Sequence, residues 1–457
     1  MWPHESVVAA ADLVAAGSVA WLLVVLGRRT FGETAGVAAA GLFLLLGNPA
    51  IQRLSGVRVR GQCETFIAVA VTAAMVLVAR RHQRHAFLYL AGAFLAIAFW
   101  LKYNAGIYVL PVVAFAWIHG RGAPDRPPLR ATMAVAAGFA IVSAVFLSYF
   151  ASNGALTDLR LATVSYNLQY SSETYQGFRG VVDYLRFPIE RARLDLLWYL
   201  GGLGVLLLLI RKRTAAHTWM AIGWLAAACV SIMINGARNL PQYFMQAQPA
   251  LAFAAGAGLW AAWTHGARTQ RTLRAIVIVV LALGLWRVGD ELVAVKLGGL
   301  PEVVRNARFD LDYARGRIDR PTYLARFQEQ TDAKYVPLSA ARLTSLVRET
   351  TSPSDRILVF GLSASVYVNA PRQSASRFFW SQPVVVEFGQ GLPGYGSAGL
   401  LQDLQRTTPA LVALQKRWGD PGPNAFFLNH PPLRAWLDAG YVLEDDNADF
   451  TVWRRRS

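Results

Sequence analysis

The chain has 457 residues, 54% of them hydrophobic and only 16% charged, with a mean hydropathy of +0.32. Soluble domains carry about 25% charged residues, so a wholly soluble protein is excluded. The net charge of +17 would point to nucleic acid if the basic residues formed one patch. They are instead dispersed at the ends of apolar runs, as helix anchors in a bilayer are, and the reading includes no nucleic-acid partner.

A membrane-spanning helix needs about 20 apolar residues. Ten candidate spans follow in chain order: about 7–27, 34–50, 65–79, 86–101, 105–118, 131–150, 194–210, 216–234, 249–264 and 275–292. Every second connection is basic. Arg28 and Arg29 follow the first span, Arg80, Arg81 and Arg84 the third, and Arg121, Arg126 and Arg130 the fifth. Arg211, Lys212 and Arg213 follow the seventh, and Arg268, Arg271 and Arg274 the ninth. The positive-inside rule makes these loops cytoplasmic. The connections 51–64, 102–104, 151–193 and 235–248, and everything after about 293, are then outside. Ten spans with an outside C-terminus also put the N-terminus outside, although Met1 to Ser6 hold no signal peptide. A reversed anchor, or a helix preceding this sequence, is the expectation that follows.

Composition shifts near residue 293, dividing the chain into a membrane body, 1–292, and a tail, 293–457. The tail alternates helix and strand signals, as a small α/β domain does. Leu338 to Thr350, Ser397 to Gln405 and Leu433 to Asp438 read as helices. Ile357 to Phe360, Leu411 to Leu414, Tyr441 to Leu443 and Phe450 to Trp453 read as strands.

Charged groups are costly within a bilayer, so chemistry is sought at helix ends and outer loops. Glu64 stands where an outer loop enters the third span, after Arg53, Arg58 and Arg60. It reads either as an acid favoured by a helix N-terminus or as a base or ligand facing an outer cavity. Lys102 lies between two apolar runs. It is either a snorkelling interfacial lysine or a ligand for a lipid phosphate. The segment Asn235 to Gln246 offers Arg238, Gln242, Tyr243 and Gln246, an interface belt or an anion or sugar site. The 151–193 stretch adds Tyr166, Tyr170, Tyr175 and Tyr184, rings suited to membrane interfaces and to sugar faces alike.

Other motifs carry less. Gly389-Gln390-Gly391-Leu392-Pro393-Gly394 follows a strand-like apolar run and matches G-x-G-x-x-G. Pro393 lies in its turn and the next strand runs into Gln415-Lys416 without an acid, so a glycine-rich loop is the better account and no nucleotide cofactor is expected. Cys63 and Cys229 fit neither a disulfide framework nor a metal site. His82 and His85 lie among arginines, and no cluster elsewhere has metal-ligand spacing.

The order of these segments resembles the GT-C type glycosyltransferases, in particular the group of protein O-mannosyltransferases and the lipid A aminoarabinose transferase. Leu26-Gly27-Arg28-Arg29-Thr30-Phe31-Gly32 is similar to the family's cytoplasmic turn between its second and third helices. Glu64 falls where the family places an acid on its next outer loop. Leu101-Lys102-Tyr103 with Leu110-Pro111, and Arg238 to Pro249, resemble its lysine–proline and arginine–tyrosine–proline segments. Ser354 to Gly361, and Pro371-Arg372 to Ser376-Arg377-Phe378, resemble the extracytoplasmic domain of bacterial members.

The resemblance implies a cell-membrane enzyme, with its C-terminal domain outside, that moves a sugar from a polyprenyl-phosphate donor to an outer-face acceptor. It casts Glu64 as a catalytic acid or base. Lys102, Arg60, Arg238, Tyr243 and Gln246 become phosphate or donor contacts, with no metal ligand assigned and divalent metal dependence left open. The family's principal catalytic acid lies on the loop after its first helix, and neither Glu5 nor Asp12 matches that motif. The expectation is therefore a chain lacking that helix and loop. Its rival is a non-catalytic relative that binds or translocates a glycolipid.

Overall fold

The computed structural model describes residues 6–47, 61–80, 85–120, 128–172, 180, 182, 184–193, 195–210, 216–234, 241–263, 274–275, 278–279, 281–284, 286, 300–328, 336–419 and 421–456. The chain forms two compact units, Met1–Asp310 and Leu311–Ser457.

The first unit is helical. Helix α1 spans Ser6–Arg29 and ends on Arg28 and Arg29, cations favoured by the C-terminal end of the helix dipole. Gly32, at φ +119°, turns the chain into α2, Glu33–Leu42, which runs on through a π turn at Phe43–Gly47. Helices α3 (Cys63–Val78) and α4 (His85–Leu101) follow. A 3-10 turn, Tyr103–Tyr108, leads into α5, Val109–Gly120. Next come α6 (Pro128–Ser152), α7 (Leu196–Ile210), α8 (Ala216–Ile234) and α9 (Gln248–Trp263). These helices occupy the first nine apolar stretches read from the sequence. The tenth, 275–292, lies largely outside the described residues.

Among the described residues three helices, Ala10–Arg29, Pro128–Ser152 and Ala216–Ile234, are long and apolar enough to cross a membrane, and shorter apolar helices pack with them. Ile141, Val145, Phe146 and Leu147 of α6 are exposed, a run that suits lipid rather than water. The stretch 151–193 differs from the expected loop. Where described it is largely helical, with turns at Leu156–Arg160, Leu161–Ser165, Tyr166–Ser172 and Phe187–Ala192. Coiling satisfies its backbone groups locally, which open loop would leave to solvent.

Helices in lipid gain little from burying Leu against Leu, and close approach matters more. A Cβ on Gly92 of α4 would come within 2.0 Å of the Val135 carbonyl, and one on Gly138 of α6 within 1.9 Å of the Tyr89 carbonyl. These two glycines let the helix backbones touch. The bundle also has distinct ends. Arg29 donates to the Val76 carbonyl near the C-terminus of α3, while Glu64 begins α3 about 18 Å away at 1.5 Å per residue.

In the second unit, five strands are ordered β2-β1-β3-β5-β4. They are β1 Arg356–Phe360, β2 Gln373–Ser374, β3 Leu411–Gln415, β4 Tyr441–Asp446 and β5 Phe450–Arg455. β1 pairs parallel with β2 and β3, and β3 pairs antiparallel with β5, Ala413 opposite Val452. Alternation sends Ile357, Val359, Ala413 and Val452 to one face, against Ala340, Leu343 and Val347 of α11 (Pro337–Thr350), which comes after α10 (Leu300–Ala314) and a short helix, Arg320–Ala325. Leu358, Phe360, Val412 and Leu414 take the other face. They meet Leu400 and Leu404 of α12 (Gly396–Thr407), Phe427 of α13 (Pro423–Asn429) and Leu433 and Leu437 of α14 (Pro431–Gly440). The sheet is thus covered on both faces, which is why its central strands read as continuous apolar runs.

Candidate functional site

The centre lies at the end of the bundle where α3 begins, α4 ends and α9 is entered. Glu64 sits in the first turn of α3, where the helix dipole favours a carboxylate, and its side chain is 1% exposed. Lys102 follows the last turn of α4 in extended backbone, φ −162°, and begins the 3-10 turn. Its ammonium reaches Glu64 Oε1 at 2.7 Å. The Cys63 thiol donates to Glu64 Oε2 at 3.2 Å. The short helix Pro241–Phe244 before α9 brings the Tyr243 ring within 4.1 Å of Lys102 Nζ, a cation–π contact.

Of the residues singled out in the sequence, Glu64, Lys102 and Tyr243 therefore meet. Gln246 turns inward instead. It is 2% exposed, its Oε1 accepts from Ser231 Oγ at 2.8 Å, and its Nε2 donates to the Tyr243 carbonyl at 3.1 Å. Arg60 and Arg238 lie outside the described residues.

Two features eluded sequence reading. Asp12 of α1 is buried, and its Oδ2 accepts the Gly61 N–H at 2.9 Å. That bond ties a second carboxylate to the segment leading into Glu64. An acid inside an apolar span was the available signal, because such residues are rarely accidental. The second feature is Asn104 and Ser231, whose side chains bond across 127 positions of sequence, a pairing that no local pattern reports.

The glycine-rich segment is a loop with its own anchor. The run before it, Gln382–Val385, is a short helix rather than the strand expected, with Pro383 in its first turn. Gly389, Gly391 and Gly394 all have positive φ, at +70°, +86° and +80°. Glu387 Oε2 accepts the Ser397 N–H at 2.9 Å, so a carboxylate of the chain itself meets the amide where α12 opens. Among the described residues no three His, Cys, Asp or Glu side chains gather as a metal site.

Fold and centre together define a helical membrane protein with a buried acid–ammonium pair at one end of its helices. Residues 3–150 match the family model of dolichyl-phosphate-mannose-protein mannosyltransferase. This part contains α1 to α5 and nearly all of α6, with Glu64 and Lys102. No curated protein matches the chain. Among solved structures it is similar to ArnT from Cupriavidus metallidurans bound to undecaprenyl phosphate, at 16% identity and TM-score 0.48, covering 98% of this chain and 83% of that one. It is also similar to the oligosaccharyltransferase AglB from Archaeoglobus fulgidus in complex with an inhibitory peptide and a dolichol-phosphate. There the identity is 11% and the TM-score 0.45, covering 99% of this chain and 63% of that one.

Proposed function

We propose that the chain transfers a sugar from a polyprenyl-phosphate-linked donor to a lipid, glycan or protein acceptor on the outer face of the cell membrane. The observation that carries this reading is the buried Glu64–Lys102 pair with Tyr243 against the ammonium. The family match over residues 3–150, which includes both charged residues, supports it. The ten-span reading, with its basic loops cytoplasmic, puts the centre and the tail 293–457 outside.

In the resting pair the two charges neutralise each other. A donor phosphate competes for Lys102, joined in this proposal by Arg60 and Arg238, and leaves Glu64 an unpaired carboxylate. Glu64 then takes the proton of the acceptor hydroxyl as its oxygen attacks the anomeric carbon. The bond from that carbon to the phosphate oxygen breaks, and polyprenyl phosphate departs with its charge met by Lys102. Tyr243 holds the ammonium in place, and Gln246 supports Tyr243 from behind.

The test is transfer of labelled sugar from a polyprenyl-phosphate donor by the full chain in lipid nanodiscs. Glu64→Gln keeps the shape and removes the base, and the expected loss is about 10²- to 10⁴-fold. Unchanged transfer by that variant removes Glu64 from the mechanism. Donor binding without transfer by the wild type selects a glycolipid-binding protein instead.

A further inference from the structure

Ser231, one of two hydroxyl residues in the apolar α8 together with Thr218, is fully buried at 0% exposure. A serine hydroxyl offers one proton and two lone pairs. Here it accepts from Asn104 Nδ2 at 2.7 Å and donates to Gln246 Oε1 at 2.8 Å. Asn104 Nδ2 also donates to the Ser231 carbonyl at 3.0 Å. Only an amide nitrogen can serve a carbonyl oxygen, so the Asn104 orientation is fixed. Its Oδ1 has no hydrogen-bond partner among the described residues, so the side chain is held from its nitrogen end, by Ser231.

Each bond leads toward the centre. Asn104 lies two residues beyond Lys102, whose carbonyl accepts the Ala105 N–H at 2.9 Å. Gln246 Nε2 donates to the Tyr243 carbonyl. One hydroxyl thus joins the turn that carries Lys102 to the turn that carries Tyr243. Packing alone would ask only for a small residue at this position, and Ala would serve. Alanine would remove the shorter of the two hydrogen bonds to Gln246 Oε1 and leave it only the Tyr108 hydroxyl at 3.4 Å, in a buried setting where poorly met polar groups are costly.

We infer that Ser231 is a positioning residue for the phosphate-binding edge of the Glu64–Lys102 centre, setting the distance between the ammonium, the tyrosine ring and the carboxylate. The assignment rests on the glycosyl-transfer reading for its purpose, but not for its geometry. Its mechanical content is that loosening Ser231 loosens Lys102 through two converging segments.

The experiment uses the full chain in lipid nanodiscs with Ser231→Ala, and with Gln246→Leu as a second break in the same network should the first variant fold poorly. The first readout is the rate at which acetic anhydride acetylates Lys102, followed by peptide mass spectrometry. Lys416, which pairs with Asp446 at 2.6 Å in the other unit, is the internal reference. Lys102 should react severalfold faster in either variant while Lys416 keeps its rate. The second readout is binding of undecaprenyl phosphate. Ser231→Ala should weaken it about tenfold in the wild-type background and less than twofold in Tyr243→Ala, because coupled residues give non-additive effects. An unchanged Lys102 rate in both variants overturns the assignment, as does a tenfold loss that persists in Tyr243→Ala. A wild type that binds no undecaprenyl phosphate overturns the transfer reading, while the acetylation ratio still decides the role of Ser231.

Discussion

The two units of this chain are held together by different chemistry. In the helical unit, backbones meet at Gly92 and Gly138, and the interior is rich in alanine, with Ala91, Ala98, Ala250, Ala254 and Ala257 among its fully buried residues. In the second unit, branched and aromatic side chains cover both sheet faces, from Val347 and Ile357 on one side to Leu404, Phe427 and Leu437 on the other. The difference follows from the solvent each can use. Water drives apolar side chains together. Lipid does not, so helix contacts there depend on fit and on internal hydrogen bonds. The helical unit accordingly gathers its most specific contacts in a polar centre, and the sheet unit in its layers.

The sharpest way to break that contrast is to remove one charge from the centre. Lys102→Met should destabilise the helical unit by about 3–5 kcal/mol, the cost of leaving a buried partner charge uncompensated. Glu64→Gln should cost clearly less, because the remaining Lys102 side chain is 24% exposed and can turn toward polar surroundings. Thermal unfolding in nanodiscs checks the order of the two. Equal losses would mean that the pair is not buried as a unit.

On the sheet side the corresponding change is Leu404→Ala, which empties part of a fully buried contact with the strands. A loss of about 2–5 kcal/mol is expected, with the spread set by how far the site collapses. Limited proteolysis should then cut the second unit earlier while leaving the helical unit intact. A smaller effect tests the lipid side of the argument. Gly138→Ala adds one carbon within 1.9 Å of a backbone carbonyl, and overpacking of this kind costs about 1–3 kcal/mol. If helix contact in this unit were governed by apolar burial instead of close approach, the added methyl would stabilise.

How much of this was legible in the sequence depends on whether the signal is local. The apolar stretches located the helices because bilayer length fixes a long run. Glu64 and Lys102 stood out because each is set apart from the basic clusters, an acid where an outer loop enters a span and a lysine between two apolar runs. Ser231 and Asn104 did not, since a small polar residue in a span gives no sign of what it will face. The run Val384-Val385-Val386 was ambiguous in a different way. Three β-branched residues suit a strand, but periodicity cannot separate a short strand from a short helix, and Pro383 settles it by favouring a first helical turn. Asp12 shows the opposite failure: its signal was visible, but a motif-based search for an acid on a loop passed over an acid within a helix.

The smallest expected effect lies in the sheet unit and concerns charge rather than packing. Asp403 of α12 is buried, and burial alone would raise its carboxyl. Arg377 reverses this. Its backbone N–H and its Nε reach Asp403 Oδ2 at 3.0 and 3.1 Å, and its Nη2 reaches Oδ1 at 3.1 Å, while Ser376 Oγ adds a further bond. The net result holds the carboxyl below its ordinary value of 3.8. Folding therefore lowers this pKa, and the unfolded chain binds the proton more readily than the folded one. The stabilisation is fully present above the unfolded value near pH 4 and is lost as pH falls through the lower, folded value. Asp403→Asn removes the titrating group, so its stability should vary less with pH below 4 than that of the wild type. The difference should shrink in high salt only modestly, since partly buried pairs are screened less than exposed ones. Unfolding midpoints of the second unit measured between pH 5 and 2.5 decide the matter: parallel curves for the two proteins would show that Arg377 packs against Asp403 without drawing on its charge.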